Sequence, residues 1–552
     1  MRPDPVRAAL LGALFAAIVT LPGLGGGTLW DNSETTYGEV AREIGLTHDW
    51  VVMHLNGHPW FIQPPLYFWL AALIARVVGT SEFALRLPSA LATIAMGGAV
   101  GYATARIAGV RAGTVAAAVL STALMQAIVG RLAIMDALLD LCVAAAILWW
   151  FRALQPVEGD GLAAGKRATA FVCGSAALAF GMLAKGPVAP AIVLLVIGVW
   201  LGWESRSGSR PVRPSAVTLV ASVALFAAIA LPWFVAEVVR AGPAAARELI
   251  VHYTIGRYTG VIENQRGPWW YYIPVLMLGF FPWIAFVPVA LARATGAARA
   301  ASGSFERLAL CWIGVPLVFF SCAQTKLPNY VALLLPALAI VVALWFERVA
   351  AGADRRAAIV SAATIPLFVA ALGIAAGVFV RTNRLEAVLG AVASAFGVLA
   401  VVMVAGSLAT VLAAAVPRWT AAAPYLLAAT AGSLVLFIAL VGEPAAEKYK
   451  PIPVLARAID AHRANDGVVA VRGASGGIAL IYYTAPVVRE LGNGIPEFET
   501  FACAVPQGFV VTRTGDGPEL VQAARDRGRH AEQIATSEQL TAVQIDGPPC
   551  RV

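Results

Sequence analysis

The chain has 552 residues, 59% of them hydrophobic and only 13% charged, with a mean hydropathy of +0.76 and a formal net charge of +8. That apolar excess excludes a soluble globular protein, and apolar runs of about 18 to 25 residues, long enough to cross hydrocarbon, recur along it. The positive balance is no nucleic-acid footprint, because the arginines sit in short loops between apolar runs, where they set membrane orientation.

In chain order, Ala8–Leu21 reads as a first retained helix, since no small-residue cleavage site follows it and further spans do. A polar, acidic, histidine-bearing insert then runs from Gly27 to Pro65. Hydrocarbon offers no water to carboxylates or irregular backbone, so the insert belongs outside the bilayer, where a membrane enzyme meets polar headgroups. Glu34 falls in the first turn of an expected helix, with Ser33 or Asn32 available as N-cap, and the helix dipole favours its ionised form. Asp31 lies a cap-like turn before it, and Tyr37 shares its face. Such acids accept a proton or hold a cation; the plainer reading is that they only cap and solubilise a loop helix. His54 and His58 read as solvated loop histidines or, with Glu34 or Asp31 nearby, as ligands of a divalent metal; the pattern demands no cofactor. Leu66–Val78 is short and aromatic, which suits a helix lying in the interface.

Apolar segments centre near residues 8–25, 88–105, 112–129, 134–152, 168–184, 187–203, 215–239, 270–292, 308–323, 328–346, 357–380, 387–416 and 421–442, about thirteen spans. Arg106, Arg111, Arg152, Arg167, Arg206, Arg213, Arg293, Arg307, Arg348 and Arg355 mark one side as cytoplasmic. The insert, the turns at 130–136, 185–187 and 324–329, the loop 240–268 and the tail then fall on the far side together. Arg131 and Asp136 bracket a span start and either satisfy each other or serve a substrate. Lys185 and Lys326 stand at tight turns, as phosphate-binding cations or as snorkelling interfacial lysines. His252 and Arg257 add basic groups in the loop before Pro268-Trp269-Trp270, an interfacial aromatic belt.

From Glu443 the composition turns soluble. Val468–Val471, Phe509–Thr512 and Ala542–Ile545 read as buried strands, and Val454–Ala464 and Pro518–Arg527 as amphipathic helices, giving a small α/β domain over 443–552 after a membrane domain over 1–442 that includes the loop 26–87. The Gly473–Gly477 run is either an ordinary strand-to-helix turn or a phosphate cradle. Cys503 and Cys550 are the natural disulfide pair if this tail faces an oxidising compartment, and free thiols otherwise; the other four cysteines sit in apolar spans.

The ordered set Trp30-Asp31…Glu34…Tyr37…Glu39-Val40-Ala41-Arg42-Glu43, Pro64-Pro65-Leu66-Tyr67, Arg86-Leu87-Pro88-Ser89, Arg131 to Asp136, Lys185-Gly186-Pro187, His252 to Arg257 and Lys326-Leu327-Pro328-Asn329-Tyr330 resembles the GT-C superfamily of polyprenyl-phosphate-sugar glycosyltransferases. Within it the likeness is to the lipid A 4-amino-4-deoxy-L-arabinose transferases and related protein O-mannosyltransferases. The resemblance implies an all-α polytopic protein of the bacterial inner membrane with its cavity open to the periplasm. It also implies a sugar donor linked through phosphate to undecaprenol, a lipid A-type or other glycan acceptor, and inversion at the anomeric carbon. Where the family reads Asp-Glu-x-Arg-Tyr this chain has Ser33-Glu34-Thr35-Thr36-Tyr37, and where it reads Glu-Lys-Pro-Pro this chain has Ile62-Gln63-Pro64-Pro65. Two acids and two bases are absent together, as if one interacting cluster had been replaced as a unit. Glu34, helped by Asp31, is then the expected catalytic acid or base. Tyr37, His58, Gln63, Arg131, Asp136, Lys185, His252, Arg257, Lys326 and Tyr330 are the expected substrate-binding residues. A non-catalytic lipid-binding or assembly protein of the same fold is the alternative.

Overall fold

The structure, a computed structural model, describes residues 4–30, 33–156, 162–262, 264–300, 303–382, 393–447, 450–464, 467–473, 477–484, 487–537 and 539–550. The chain packs as two compact units. One comprises Met1–Leu24, Phe61–Tyr67 and Arg86–Gly442; the other comprises Gly25–Trp60, Phe68–Leu85 and Glu443–Val552.

The first unit is helical. Among the described residues nine helices, counted over the whole chain, are long and apolar enough to span a bilayer, and a tenth span would be a helix pair bent by 111°, Tyr272–Gly279 and Trp283–Ala297. The apolar run at 270–292 is therefore not the single helix expected from its hydropathy, because Pro282 brings no N–H to the ladder at the bend. The run at 112–129 is interrupted too: Ala123 is extended between helices Val110–Thr122 and Leu124–Val129, and the Leu124 N–H turns to the Phe281 carbonyl at 3.4 Å. Part of the run expected at 387–416 lies outside the described residues. Leu66–Val78 is a 13-residue helix, too short to span.

Ion pairs join the arginine-bearing helix ends. Arg111 clamps both oxygens of Glu347 at 2.9 and 2.7 Å, and Arg307 clamps Glu204 at 2.6 and 2.9 Å while also donating to the Ala298 and Ala300 carbonyls. Arg293 and Arg348 share Asp354. Asp136 starts helix Asp136–Leu154, Lys185 ends helix Ala164–Lys185 and Asn329 lies in the 3-10 turn Pro328–Leu334, and hydrogen bonds to Asp136 bring these three element ends together.

The second unit contains a five-stranded sheet of strands β1 (Val468–Arg472), β2 (Val488–Leu491), β3 (Gln507–Arg513), β4 (His530–Thr536) and β5 (Leu540–Asp546). The spatial order is β2-β1-β3-β5-β4; β1 is parallel to β2 and β3, and β5 is antiparallel to β3 and β4. Side chains alternate across the strands, so Val469, Val471, Phe509 and Val511 pack with Ile452, Leu455 and Leu480 on one face. Ala470, Val510, Val543 and Ile545 pack with Phe498, Phe501 and Leu520 on the other. All five predicted tail elements form, and strands β2 and β4 with helices Gly477–Thr484 and Ile495–Ala504 join them. Residues 474–476 of the glycine run lie outside the described residues.

The insert packs into this same unit. Asn56 exchanges two 2.9 Å hydrogen bonds with the backbone of Val488, and the Tyr483 hydroxyl accepts from the Leu29 N–H at 2.6 Å while facing Glu82 at 3.2 Å. Cys503 and Cys550 are bonded across a separation of 47 residues. Reduction, or Cys503→Ser, is expected to lower stability by about 4 kcal/mol through restored loop entropy in the unfolded chain. Thermal melts with and without reductant check this, and coincident melts would show that the bond constrains nothing.

Candidate active site

A polar cluster of the first unit forms around Asp136, the first residue of helix Asp136–Leu154. Its Oδ1 accepts from Lys185 Nζ at 2.5 Å and from Asn329 Nδ2 at 2.7 Å. Lys185 ends helix Ala164–Lys185, and Gly186 follows at φ +70, a conformation that suits glycine and turns the chain sharply at Pro187. The Lys185 ammonium also lies 5.6 Å from the centroid of the Tyr330 ring. Asp136 and Lys185 are thus a mostly buried ion pair, with side-chain exposures of 7% and 15%.

Lys326 stands beside this cluster but is held differently. Its Nζ donates to the carbonyls of Phe320, Ser321 and Ala323 at 3.2, 2.8 and 2.7 Å, which caps the C-terminus of helix Ser304–Cys322. Burial draws its ammonium below the ordinary lysine value. The segment around it runs against the 240–268 loop: Gln324, Thr325 and Lys326 donate their backbone N–H groups to the carbonyls of Tyr258, Arg257 and Gln265 at 3.0, 3.1 and 2.9 Å. Arg257 is thereby fixed in place, over the Tyr253 ring at 5.6 Å and 3.4 Å from Gln265 Oε1. His252 is exposed and stands edge-on to Tyr253. Arg131 Nη1 donates to the Thr20 and Pro22 carbonyls at 2.6 and 2.8 Å, which closes the end of helix Pro5–Thr20. Gln63 is half-buried in the segment preceding Pro64, a residue that packs near Gly186.

In the second unit, helix Glu34–Thr47 begins where the sequence places it, with Ser33 at the N-cap but no side-chain cap bond. Glu34 is buried, and its Oε2 accepts the Trp30 N–H at 3.0 Å. Asp31 and Asn32 lie outside the described residues. Tyr37 meets the edges of Trp60 and Phe68, whose centroids are 6.3 and 5.6 Å away. His58 is exposed on a hairpin in which Asn56 and Gly57 both take positive φ, the turn that an Asn-Gly pair favours. Among the described residues no three His, Cys, Asp or Glu side chains gather to hold a metal ion.

Residues 62–235 match the family model described as dolichyl-phosphate-mannose-protein mannosyltransferase. An undecaprenyl phosphate-alpha-4-amino-4-deoxy-L-arabinose arabinosyl transferase of Edwardsiella ictaluri is 29% identical over 343 residues, which cover 61% of this chain and 59% of that protein. Its counterpart in Erwinia tasmaniensis is 30% identical over 340 residues, with the same coverage. The chain therefore matches less than two thirds of the length of these relatives. The apo structure of ArnT from Cupriavidus metallidurans superposes with a TM-score of 0.80, covering 98% of both chains at 20% identity. The same protein bound to undecaprenyl phosphate gives 0.77. The oligosaccharyltransferase AglB of Archaeoglobus fulgidus gives 0.52 over 94% of this chain and 70% of its own, at 11% identity.

The chain has the GT-C fold. Its spans and its relatives make it a multi-pass protein of the bacterial inner membrane. Three further polar residues stand near the candidates. Asn329 supplies the second hydrogen bond to Asp136, and its signal is its place two residues beyond Leu327 in the lysine turn. Asp140 lies one helical turn from Asp136 on the same face, buried, with no hydrogen-bond partner for Oδ2 among the described residues. Glu39 stands out in the sequence only as part of the run Glu39-Val40-Ala41-Arg42-Glu43.

Glu39 carries a testable pH dependence. Burial pushes its carboxyl up to about 7, against the opposing pull of the Arg42 guanidinium, which grips both oxygens at 2.8 and 2.7 Å. A folded-state value above the ordinary 4.5 means that the folded chain binds this proton more tightly, so the contribution is complete below about pH 4.5 and is lost as pH rises through about 7. The melting temperature is expected to fall between pH 5 and pH 8, and to fall less in Glu39→Gln. Parallel pH curves for the two proteins would exclude this role for Glu39.

Proposed function

We propose that this chain is an integral membrane glycosyltransferase that moves a sugar from an undecaprenyl-phosphate-linked donor to a lipid A-type or other periplasmic acceptor. One observation carries the reading: the segment that matches the mannosyltransferase family model contains both Asp136 and Lys185, and these two form a mostly buried ion pair. A cation oriented by a carboxylate and an amide is equipped to meet a phosphate oxygen as negative charge grows on the leaving group.

In this mechanism the acceptor oxygen attacks the anomeric carbon, the bond from that carbon to the phosphate oxygen breaks, and the electron pair leaves on undecaprenyl phosphate. Glu34 takes the proton from the acceptor hydroxyl, with Asp31 assisting, and the sugar is inverted. Lys185 meets the leaving phosphate. Arg257 adds positive charge and His252 a hydrogen-bonding imidazole, Tyr330 and Gln63 of the first unit and Tyr37 and His58 of the second are assigned to substrate binding, and Arg131 and Lys326 brace helix ends. A periplasmic site is supported by the arginines gathered at the opposite helix ends and by the disulfide, a bond that persists in oxidising compartments.

The test is reconstitution with undecaprenyl-phosphate 4-amino-4-deoxy-L-arabinose and lipid A, with mass spectrometry of surface lipids from cells with and without the protein. Release of undecaprenyl phosphate and a matching sugar mass on the acceptor are expected. A protein that binds the lipid and releases nothing, with no surface lipid altered in cells lacking it, would instead be a non-catalytic relative.

A further inference from the structure

A cleft of about 580 Å³ lies wholly within the second unit, at the carboxyl end of strand β3. Its volume is that of a small-ligand site, and the carboxyl ends of parallel strands are where open α/β sheets commonly bind ligands. We propose that it binds an anionic saccharide, a sugar ring carrying a phosphate group. The proposal concerns a site separate from the residues assigned to transfer above and goes beyond that reading.

Three features carry it. First, the cleft is lined by two cations, Lys450 and Arg513, and by no aspartate or glutamate among the described residues. Lys450 is already committed: its Nζ donates to the Thr28 carbonyl at 2.6 Å, meets Glu447 at 3.3 Å and sits 4.2 Å from the centroid of the Trp30 ring. Arg513 is exposed and makes no side-chain hydrogen bond or ion pair among the described residues, while its acidic neighbour Asp516 is turned to Arg472 at 3.6 Å. An uncommitted guanidinium fork matches a phosphate group in bidentate geometry.

Second, Trp30 is 43% exposed although Lys450 holds it in place. A large indole fixed at a cleft wall offers a flat, electron-rich face to the C–H groups of a pyranose ring. Third, the Gln539 side chain and the Thr514 hydroxyl line the same cleft, and the latter donates to the Ser537 carbonyl at 3.0 Å and keeps its acceptor capacity. Sugar hydroxyls need such mixed donors and acceptors, whereas an acyl chain would leave Arg513 and Gln539 desolvated without partners.

Calorimetric titration of the purified full-length protein in detergent, without any lipid donor, tests this. The probes are glucosamine 1-phosphate, glucosamine and inorganic phosphate. Glucosamine 1-phosphate is expected to bind at least about tenfold more tightly than either part alone, and Arg513→Glu and Trp30→Ala are each expected to weaken it by about tenfold or more. Trp30→Phe, which keeps a ring, and Arg489→Glu, a charge reversal at an exposed position on strand β2, should retain binding. Failure of wild type to bind, equal binding by Arg513→Glu, or inorganic phosphate binding as tightly as the sugar phosphate would each overturn the proposal. None of these outcomes depends on catalysis, so the transfer reading stands or falls separately.

Discussion

Glu34→Gln is expected to lower sugar transfer by about 10²- to 10⁴-fold, the range for loss of a positioned general base. The substitution isolates basicity from architecture. Glu34 opens helix Glu34–Thr47 and accepts the Trp30 N–H through Oε2, and a glutamine oxygen can accept the same bond. The Trp30 hydrogen bond and the helix should therefore persist, and with them the thermal melt. Binding of the undecaprenyl-phosphate donor should also persist, because the amide removes proton acceptance and nothing assigned to the phosphate. The readout is undecaprenyl phosphate released per enzyme in single-turnover conditions, with donor binding measured on the same preparation. If wild type and Glu34→Gln release the lipid phosphate at the same rate, Glu34 is a capping residue and the catalytic assignment fails.

The start of that helix was legible because a carboxylate and small polar residues cluster where an apolar run ends. The buried tail strands were legible for a related reason: Val468–Arg472 and Gln507–Arg513 are apolar on both faces, as strands covered by helices on both sides must be. Strands β2 and β4 lie at the two edges of the sheet and carry exposed Arg489, Glu490, Glu532 and Gln533, charges and amides that discourage edge pairing but also erase the apolar signature of a strand. The breaks at Ala123 and near Pro282 escaped for another reason. Hydropathy averages over side chains, whereas a helix breaks through its backbone, and Leu124 finds its substitute acceptor at Phe281, far away in sequence.

The same distance problem governs the polar residues. Asn56 with Val488, and Tyr483 with Leu29 and Glu82, join segments about four hundred residues apart, and no local pattern announces such pairs. The Asn56-Gly57 turn, by contrast, carried its own signal, since that dipeptide favours the positive φ values seen there. Lys185 and Lys326 look alike in sequence, each at a turn between apolar runs. Only the fold separates them, by giving one a carboxylate partner and the other three helix-end carbonyls.

That difference leads to the second large effect. Lys185→Ala or Asp136→Ala alone is expected to destabilise the protein by about 3 kcal/mol, because each removes one half of a mostly buried ion pair and leaves the opposite charge without that contact. Activity lost in either single variant would therefore say nothing about chemistry. The paired replacement Asp136→Asn with Lys185→Met removes both charges and keeps the volumes, so its stability should return close to that of wild type. Asparagine also keeps an acceptor for the Asn329 amide. Transfer by this double variant should nonetheless stay down by about 10²- to 10³-fold, since a positioned cation facing developing phosphate charge is lost with no replacement. A stable double variant that transfers sugar at the wild-type rate would reduce the pair to a structural lock, and phosphate stabilisation would pass to Arg257, in the loop that the Lys326 segment holds in place.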